Sequence, residues 1–289
     1  MKRIALALYR VRIPLSYLAA VILIGNVLVG RFVTGGVRGV LIAAVFAALG
    51  VGALCLLLAF LAPRLLAEHP VRVVASPVRG RWMALNSPAS RVPSHGVRAY
   101  GQAYAIDVVA DPAADPGAEA AAEPRPAFGG EMMRAPASYP AFGEPVFAMI
   151  DGEVVRASGW RRDHRARSNA WGLLYLMVEG MIREAGGPAF IVGNHVTIRG
   201  HDGAFATVAH LQQGSLTVKV GDRVTAGDVI GCCGNSGNSS EPHVHAQLMD
   251  RASLWTAQGL PMAFAGIALD GAPDTSDLLP ANEQHMMVS

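Results

Sequence analysis

The chain has 289 residues, of which 52% are hydrophobic and 16% charged, with a formal net charge of +2. That length allows one sizeable domain with accessory segments, since domains run to roughly 100–200 residues. The near-balanced charge leaves no basic stripe for nucleic acid, and three cysteines are too few for a disulfide framework. Cys55 sits in an apolar run, while the adjacent Cys232 and Cys233 read as small buried hydrophobes of a strand.

The N-terminal part carries much of the apolar excess. The run IPLSYLAAVILIGNVLVG between Arg12 and Arg31 has no charge, and neither has the longer run between Arg38 and Arg64. A helix needs roughly 20 apolar residues to cross the hydrocarbon core. Residues 1–65 are therefore expected to form a transmembrane helical hairpin, with spans at about 13–30 and 39–63 joined through GRFVTGGVRG. A cleaved signal peptide fits less well, because a second apolar run follows where mature structure should begin. Lys2, Arg3, Arg10 and Arg12 argue for a cytoplasmic start, whereas Arg31 and Arg38 in the turn argue the opposite.

From residue 66 the composition changes. Short β-rich stretches between Gly, Pro, Asn and Asp clusters predict a mainly β domain over 66–270, followed by a C-terminal tail over 271–289. Two insertions interrupt it. The first, at about 111–136, contains the low-complexity DPAADPGAEAAAEPRP and reads as a surface loop. The second, at about 160–189, contains WGLLYLMVEGMIREAGG, whose apolar spacing predicts a short helix. In EPVFAMIDGEVVRA the Asp151-Gly152 pair predicts two strands meeting in a tight turn, and HVTIRGHDGAFATVAHL carries the same signal at Asp202-Gly203. Leu216, Val218 and Val220 stand at strand spacing before Gly221-Asp222. These segments together predict a compact antiparallel β-sheet domain.

Three segments carry chemistry. In EPHVHAQL, His243 and His245 are two apart, so on a strand both face one way, roughly 6–7 Å apart. Val244, Ala246 and Leu248 then supply apolar packing on the other face. In AYAIDV, Asp107 is a carboxylate within an apolar strand, costly unless paired or metal-bound. His95 lies upstream in SHGVRAYG, and His210 ends the apolar strand ATVAHL. Neutral imidazoles and a carboxylate are donors that zinc accepts, a catalytic site keeping three protein ligands and a water.

The order His…Asp…His-Leu…Gly-Asp-x-Val…Gly-x-x-Gly…Pro-His-x-His resembles the lysostaphin-type (LytM-like) zinc metalloendopeptidases. Its densest part is VAHLQQGSLTVKVGDRVTAGDVIGCCGNSGNSSEPHVHAQL. The resemblance implies the antiparallel β-sheet peptidase fold of the lysostaphin/LytM type (duplicated hybrid motif). It implies Zn2+ bound by His95, Asp107 and His245, with His210 and His243 acting beside it as base or transition-state stabiliser. The implied substrate is a peptide of bacterial peptidoglycan, either a stem peptide or a cross-bridge. That substrate lies outside the cytoplasmic membrane, which sets the peptidase domain as extracytoplasmic on a multi-pass membrane protein in contact with lipid.

Two departures stand out. The family's first His and Asp usually sit four residues apart, whereas Asp107 follows His95 by twelve, and Ala246 replaces the usual aromatic. His69, His164, His195, His201 and His285 match no motif position and read as surface or structural. Two rival readings keep the same fold: a catalytically inactive LytM-like domain that regulates cell-wall hydrolases, and a membrane-bound peptidase acting on proteins. All five candidate positions are filled, which favours activity.

Overall fold

A computed structural model describes residues 2–112, 124–270 and 274–289, so the centre of the first insertion lies outside the described residues. The chain divides into two units, Met1–His69 and Pro70–Ser289.

In the first unit, α1 (Lys2–Val29) and α2 (Gly35–Leu61) form a helical hairpin through a 3-10 turn at Gly30–Phe32, and a second 3-10 turn at Ala62–Leu65 ends it. Both helices start earlier than the uncharged runs, because helix-forming residues such as those of KRIALALYRV continue the helix through Lys2, Arg3, Arg10 and Arg12. Each segment is 31 residues long with its turn, and few of its residues are buried. Length and composition suffice for two crossings of a bilayer.

The second unit is built on β1 (Arg72–Val74), β2 (Gly80–Ala84), β3 (Ile106–Ala110), β4 (Met133–Arg134), β5 (Pro145–Phe147) and β6 (Gly152–Ser158). It continues with β7 (Ala166–Arg167), β8 (His195–Gly200), β9 (Phe205–Ala209), β10 (Arg223–Val224) and β11 (Val229–Cys232). The last strands are β12 (Val244–Met249), β13 (Gly259–Leu260), β14 (Met262–Leu269), β15 (Thr275–Leu278) and β16 (His285–Val288). Between β7 and β8 stand α3 (Ala170–Ala185) and α4 (Pro188–Val192).

One sheet runs β1-β14-β16-β2-β3-β12-β9-β8-β6-β10, with β13 on β12 and β15 on β14. All its pairings are antiparallel except β1 with β14. The domain is thus the mainly β, antiparallel-sheet type expected. Residues 271–289, set apart as a tail in the sequence reading, contribute β15 and β16 to this sheet. The buried Met286 of β16 faces Trp82 across the ladder.

The centre of the sheet follows period-2 alternation. From β12, Val244, Ala246 and Leu248 enter the main core with Ile106, Val108, Val196, Ile198 and Val208. His245 and Gln247 occupy the opposite face and are buried there. Ala246 is fully buried against its cross-strand neighbours Ile106 and Val208, so no room is left for the aromatic the family pattern favours.

Two strand expectations fare differently. The β8–β9 hairpin forms across Asp202-Gly203 as expected. Asp151-Gly152 does not close a hairpin: β5 pairs with β11, while β6 pairs with β8 and β10. Asp151 instead accepts a hydrogen bond from the Ala226 amide, and Gly152 sits against the Arg199 carbonyl, where a side chain would collide. Residues 216–220 join no ladder, and Val220 lies in a turn. Leu216 and Val218 pack on the core, but Val220 is exposed.

Candidate metal centre and active site

Neighbouring strands bring the candidate residues together. His245 of β12 stands in register with Asp107 of β3 on one side and Ala209 of β9 on the other. His243 immediately precedes β12 and His210 immediately follows β9, where it takes a left-handed φ of 62°. His95 arrives from a loop. The twelve-residue separation from Asp107 is absorbed by a 3-10 excursion at Ala99–Tyr104, whose Tyr100 and Gly101 are left-handed. The Ser94 amide then donates to the Ala103 carbonyl at 3.1 Å, which closes the loop and returns His95 to the strand.

Asp107 is the hub. Its Oδ2 lies 2.9 Å from His95 Nε2 and accepts from Asn86 Nδ2 at 2.9 Å. Its Oδ1 lies 2.8 Å from His245 Nδ1 and 3.6 Å from His243 Nε2. Donor atoms of His95, Asp107 and His245 all fall within 4.8 Å of one another. Around them lie the rings of His210 and His243, 4.7 Å apart, with His210 5.7 Å from His245. Both cysteines outside the first unit stand apart from this group. Cys233 is buried, burial pushes its thiol well up, and Cys232 is raised for the same reason.

Hydrogen-bond logic sets the tautomers, since a carbonyl only accepts. Gln247 Nε2 donates to the Tyr100 carbonyl at 3.0 Å, which turns its Oε1 toward His245 Nε2 at 2.9 Å. His245 therefore carries its proton on Nε2 and presents a lone pair at Nδ1. Ser94 Oγ donates to the Gln102 carbonyl and accepts from His95 Nδ1 at 3.0 Å, leaving the His95 lone pair on Nε2. Nδ1 of His210 donates to the Ser236 carbonyl at 2.8 Å, and Nδ1 of His243 to the Glu241 carbonyl at 2.8 Å. His210 thereby keeps Nε2 as a free acceptor, whereas Nε2 of His243 faces Asp107 Oδ1 at 3.6 Å.

Electron pairs from two imidazoles and one carboxylate thus converge with Asn86 as the only neutral donor among them. Such a set repels itself unless a cation sits between, and imidazole with carboxylate is a donor combination suited to a divalent transition metal. Charge distribution points the same way. Burial by itself would raise the Asp107 pKa, but the charges that His95 and His243 can carry, and the hydrogen bonds that His243 and His245 give it when protonated toward it, hold it well below the usual range. Burial, together with His243 and His245 nearby, holds His210 well below its ordinary value and keeps it neutral. His243 is pulled down by burial, but the Asp107 charge and hydrogen bonds more than offset this, so its pKa lies above the ordinary value.

A cleft of about 260 Å³ opens onto these five side chains. Asn86, Gln102, Leu176, Ile191, Val192, Asn238 and Ser240 complete its lining. Of the supporting residues absent from the sequence reading, Gln247 had a signal: it continues the 243, 245 alternation on the same strand face. Asn86 and Ser94 had none, because only the fold brings them beside Asp107 and His95. His195 and His164 are buried and bonded to main-chain carbonyls, His285 bonds Asp111, and none joins the cleft.

Residues 175–256 match the model of peptidase family M23. This is a peptidase family M23 domain. The match contains His210, His243 and His245, while His95 and Asp107 lie upstream of it and join the site through β3 and its preceding loop. The M23 domain is 41% identical over 100 residues to the glycyl-glycine endopeptidase ALE-1 of Staphylococcus capitis, spanning 34% of this chain and 27% of that protein. It is 41% identical over 87 residues to lysostaphin of Staphylococcus simulans, spanning 29% of this chain and 17% of that protein. The matched part is thus about a quarter or less of these curated relatives' length. Among solved structures, the lysostaphin catalytic domain of S. simulans is 30% identical, covering 41% of this chain and 68% of that one with a TM-score of 0.28.

Proposed function

We propose that this protein is a membrane-anchored, zinc-dependent endopeptidase that hydrolyses peptide bonds in peptidoglycan peptides. The observation that carries the reading is the convergence of His95, Asp107 and His245 on one point, with the free Nε2 of His210 and the ring of His243 beside it. In this reading His95 Nε2, one Asp107 oxygen and His245 Nδ1 hold the metal. When bound, zinc would polarise the scissile carbonyl and lower the pKa of a water toward 7.

The remaining work falls to the chain. His210, held neutral by burial and oriented by the Ser236 carbonyl, takes a proton from the attacking water and returns it to the leaving amine. His243, oriented by the Glu241 carbonyl, supports the developing negative charge on the substrate oxygen in its protonated form, donating from Nε2; the Asp107 charge favours that form. The cleft wall of Leu176, Ile191 and Asn238 positions the peptide and excludes bulk water. The relatives named as a glycyl-glycine endopeptidase and as lysostaphin make glycine-containing cross-bridges the first substrate to offer, with stem peptides second. The helices α1 and α2 would anchor the chain in the bacterial membrane with the M23 domain outside.

The test is metal content and hydrolysis measured on the full chain and on two variants. His245→Ala should lose zinc and activity together. His210→Ala should keep most of the zinc yet lose at least about a hundredfold in rate, the usual contribution of a general base. Zinc bound without hydrolysis of any peptidoglycan peptide would favour a regulatory domain instead. A reporter fused after Ser289 that proved cytoplasmic would remove the cell-wall substrate from consideration.

A further inference from the structure

The helix of the second insertion is built inside out. On α3, Trp171, Leu174, Met177, Val178, Met181 and Ile182 recur at helical spacings and are between 47% and 71% exposed. Apart from Leu176, the face turned to the domain is instead small or polar. Gly172 is buried against the Met132 carbonyl and the Arg167 backbone, and Gly180 lies near the Asn238 side chain. Glu179 accepts from Arg167 Nε at 3.2 Å and from Arg183 Nη2 at 3.3 Å, and Arg167 is itself buried. Arg183 Nη1 also reaches Asn238 Oδ1 at 3.4 Å. A surface helix ordinarily buries its apolar stripe and shows its charges. Here the ion pairs seat the helix, and the apolar stripe is left for something outside the domain.

We propose that the outward face of α3 lies in the interfacial layer of a lipid bilayer and holds the catalytic cleft at the membrane surface. The inference rests on the membrane-anchored reading above. Two features of the chain single out lipid as the occupant. First, the apolar helical segments end at Leu65, and only residues 66–69 separate them from the second unit. Four residues span at most about 14 Å when fully extended, so the M23 domain cannot leave the vicinity of the bilayer that α1 and α2 enter. Second, the exposed stripe offers Trp171 and aliphatic or thioether side chains, and its one hydrogen-bond donor is the indole N–H of Trp171. Its flank carries the groups suited to headgroups, since Trp160, Arg161, Arg162 and Arg183 line one small cavity beside the helix. Trp with Lys or Arg around an apolar stripe is the composition of an interfacial helix, which sinks ~5–10 Å into the headgroup boundary.

The consequence concerns substrate choice. Leu176, on the inner side of the same helix, lines the active-site cleft. An α-helix is about 10 Å across with its side chains, so a docked α3 holds the cleft within one helix diameter of the lipid headgroups. The substrate class is then peptide held close to the membrane, rather than peptide deep in the wall.

The experiment uses the full chain reconstituted into vesicles containing phosphatidylglycerol with acyl chains brominated at shallow positions. The four tryptophans, Trp82, Trp160, Trp171 and Trp255, all lie outside α1 and α2, so bromine quenching of their emission reports the M23 domain alone. The wild type should be quenched, and Trp171→Phe should lose most of that quenching while Trp255→Phe keeps it. A Val178→Glu/Ile182→Glu chain, altered only at exposed positions, should show Trp171 released from bromine and opened to aqueous acrylamide. Trp171 open to acrylamide in the wild type would overturn the proposal. Trp171 shielded from both quenchers would overturn it too, showing a protein partner or a second copy on this face. A chain that fails to float with the vesicles would overturn the anchor as well, which separates that failure from a failure of α3 alone.

Discussion

At His245 the two ring nitrogens receive different tasks from their neighbours. Gln247 takes the Nε2 proton because its own amide is turned by the Tyr100 carbonyl, and Nδ1 is left facing Asp107. Gln247 therefore fixes a tautomer without touching the point where the donors converge. Gln247→Leu preserves size but removes that hold, and metal affinity should fall about 10–100-fold, the usual effect of losing such a support. Competition with a chromophoric chelator measures it. An unchanged affinity would mean that strand geometry alone orients the ring. The alternation of His243, His245 and Gln247 was legible in the sequence, since a strand puts every second residue on one face. The contribution of Asn86 to Asp107 was not, because the two are 21 residues apart and meet only when β2 pairs with β3.

Among the elements, the loop that carries His95 departs most from the family pattern. Gly101 has a φ of +78°, and a Cβ there would lie 2.7 Å from the Met249 side chain. Gly101→Ala should therefore cost at least about 1–2 kcal/mol for the left-handed backbone alone, with the collision added. Urea unfolding reads that loss. A metal titration on the same variant should show weaker binding, because His95 is displaced while Asp107 and His245 stay in their ladder. On β12, Leu248 fills the main core, and Leu248→Ala should destabilise the domain by about 2–5 kcal/mol. The hairpin at Asp202-Gly203 could be read locally since its turn and its alternation agree. The Asp151-Gly152 turn misled because a turn signal says where the chain bends and not which strand it will pair with. The stretch at 216–220 misled for a related reason: alternation reports half-burial, and Leu216 and Val218 are half-buried on the core without a ladder partner.

For the whole molecule, two buried histidines make stability depend on pH. Burial, opposed by the Gly193 carbonyl and aided by Arg156 and Arg161, lowers the His195 pKa. Burial lowers that of His164 as well, with Arg167 and Arg183 adding to it against the Arg165 and Gly237 carbonyls. Both therefore take up a proton less readily in the folded chain than in the unfolded one, where the ordinary value is 6.5. The unfolded state then binds more protons, so stability is full above that value and declines as pH falls below it. Unfolding midpoints at about pH 8 and about pH 5, taken with a chelator to remove metal effects, should differ in that direction. His195→Asn, which can still donate to the Gly193 carbonyl, should flatten the difference. The sequence by itself determined the mainly β domain, the two long apolar segments and the identity of the five polar residues at the site. Those features rest on local periodicity, on composition and on a motif confined to neighbouring strands. Only the tertiary structure decided how His95 reaches Asp107 across twelve residues, which nitrogen of each imidazole is free, and that α3 turns its apolar face outward. The helical spacing of α3 would read the same with either face buried, and the choice falls to the buried Arg167, whose ion pair with Glu179 draws the polar side of the helix inward.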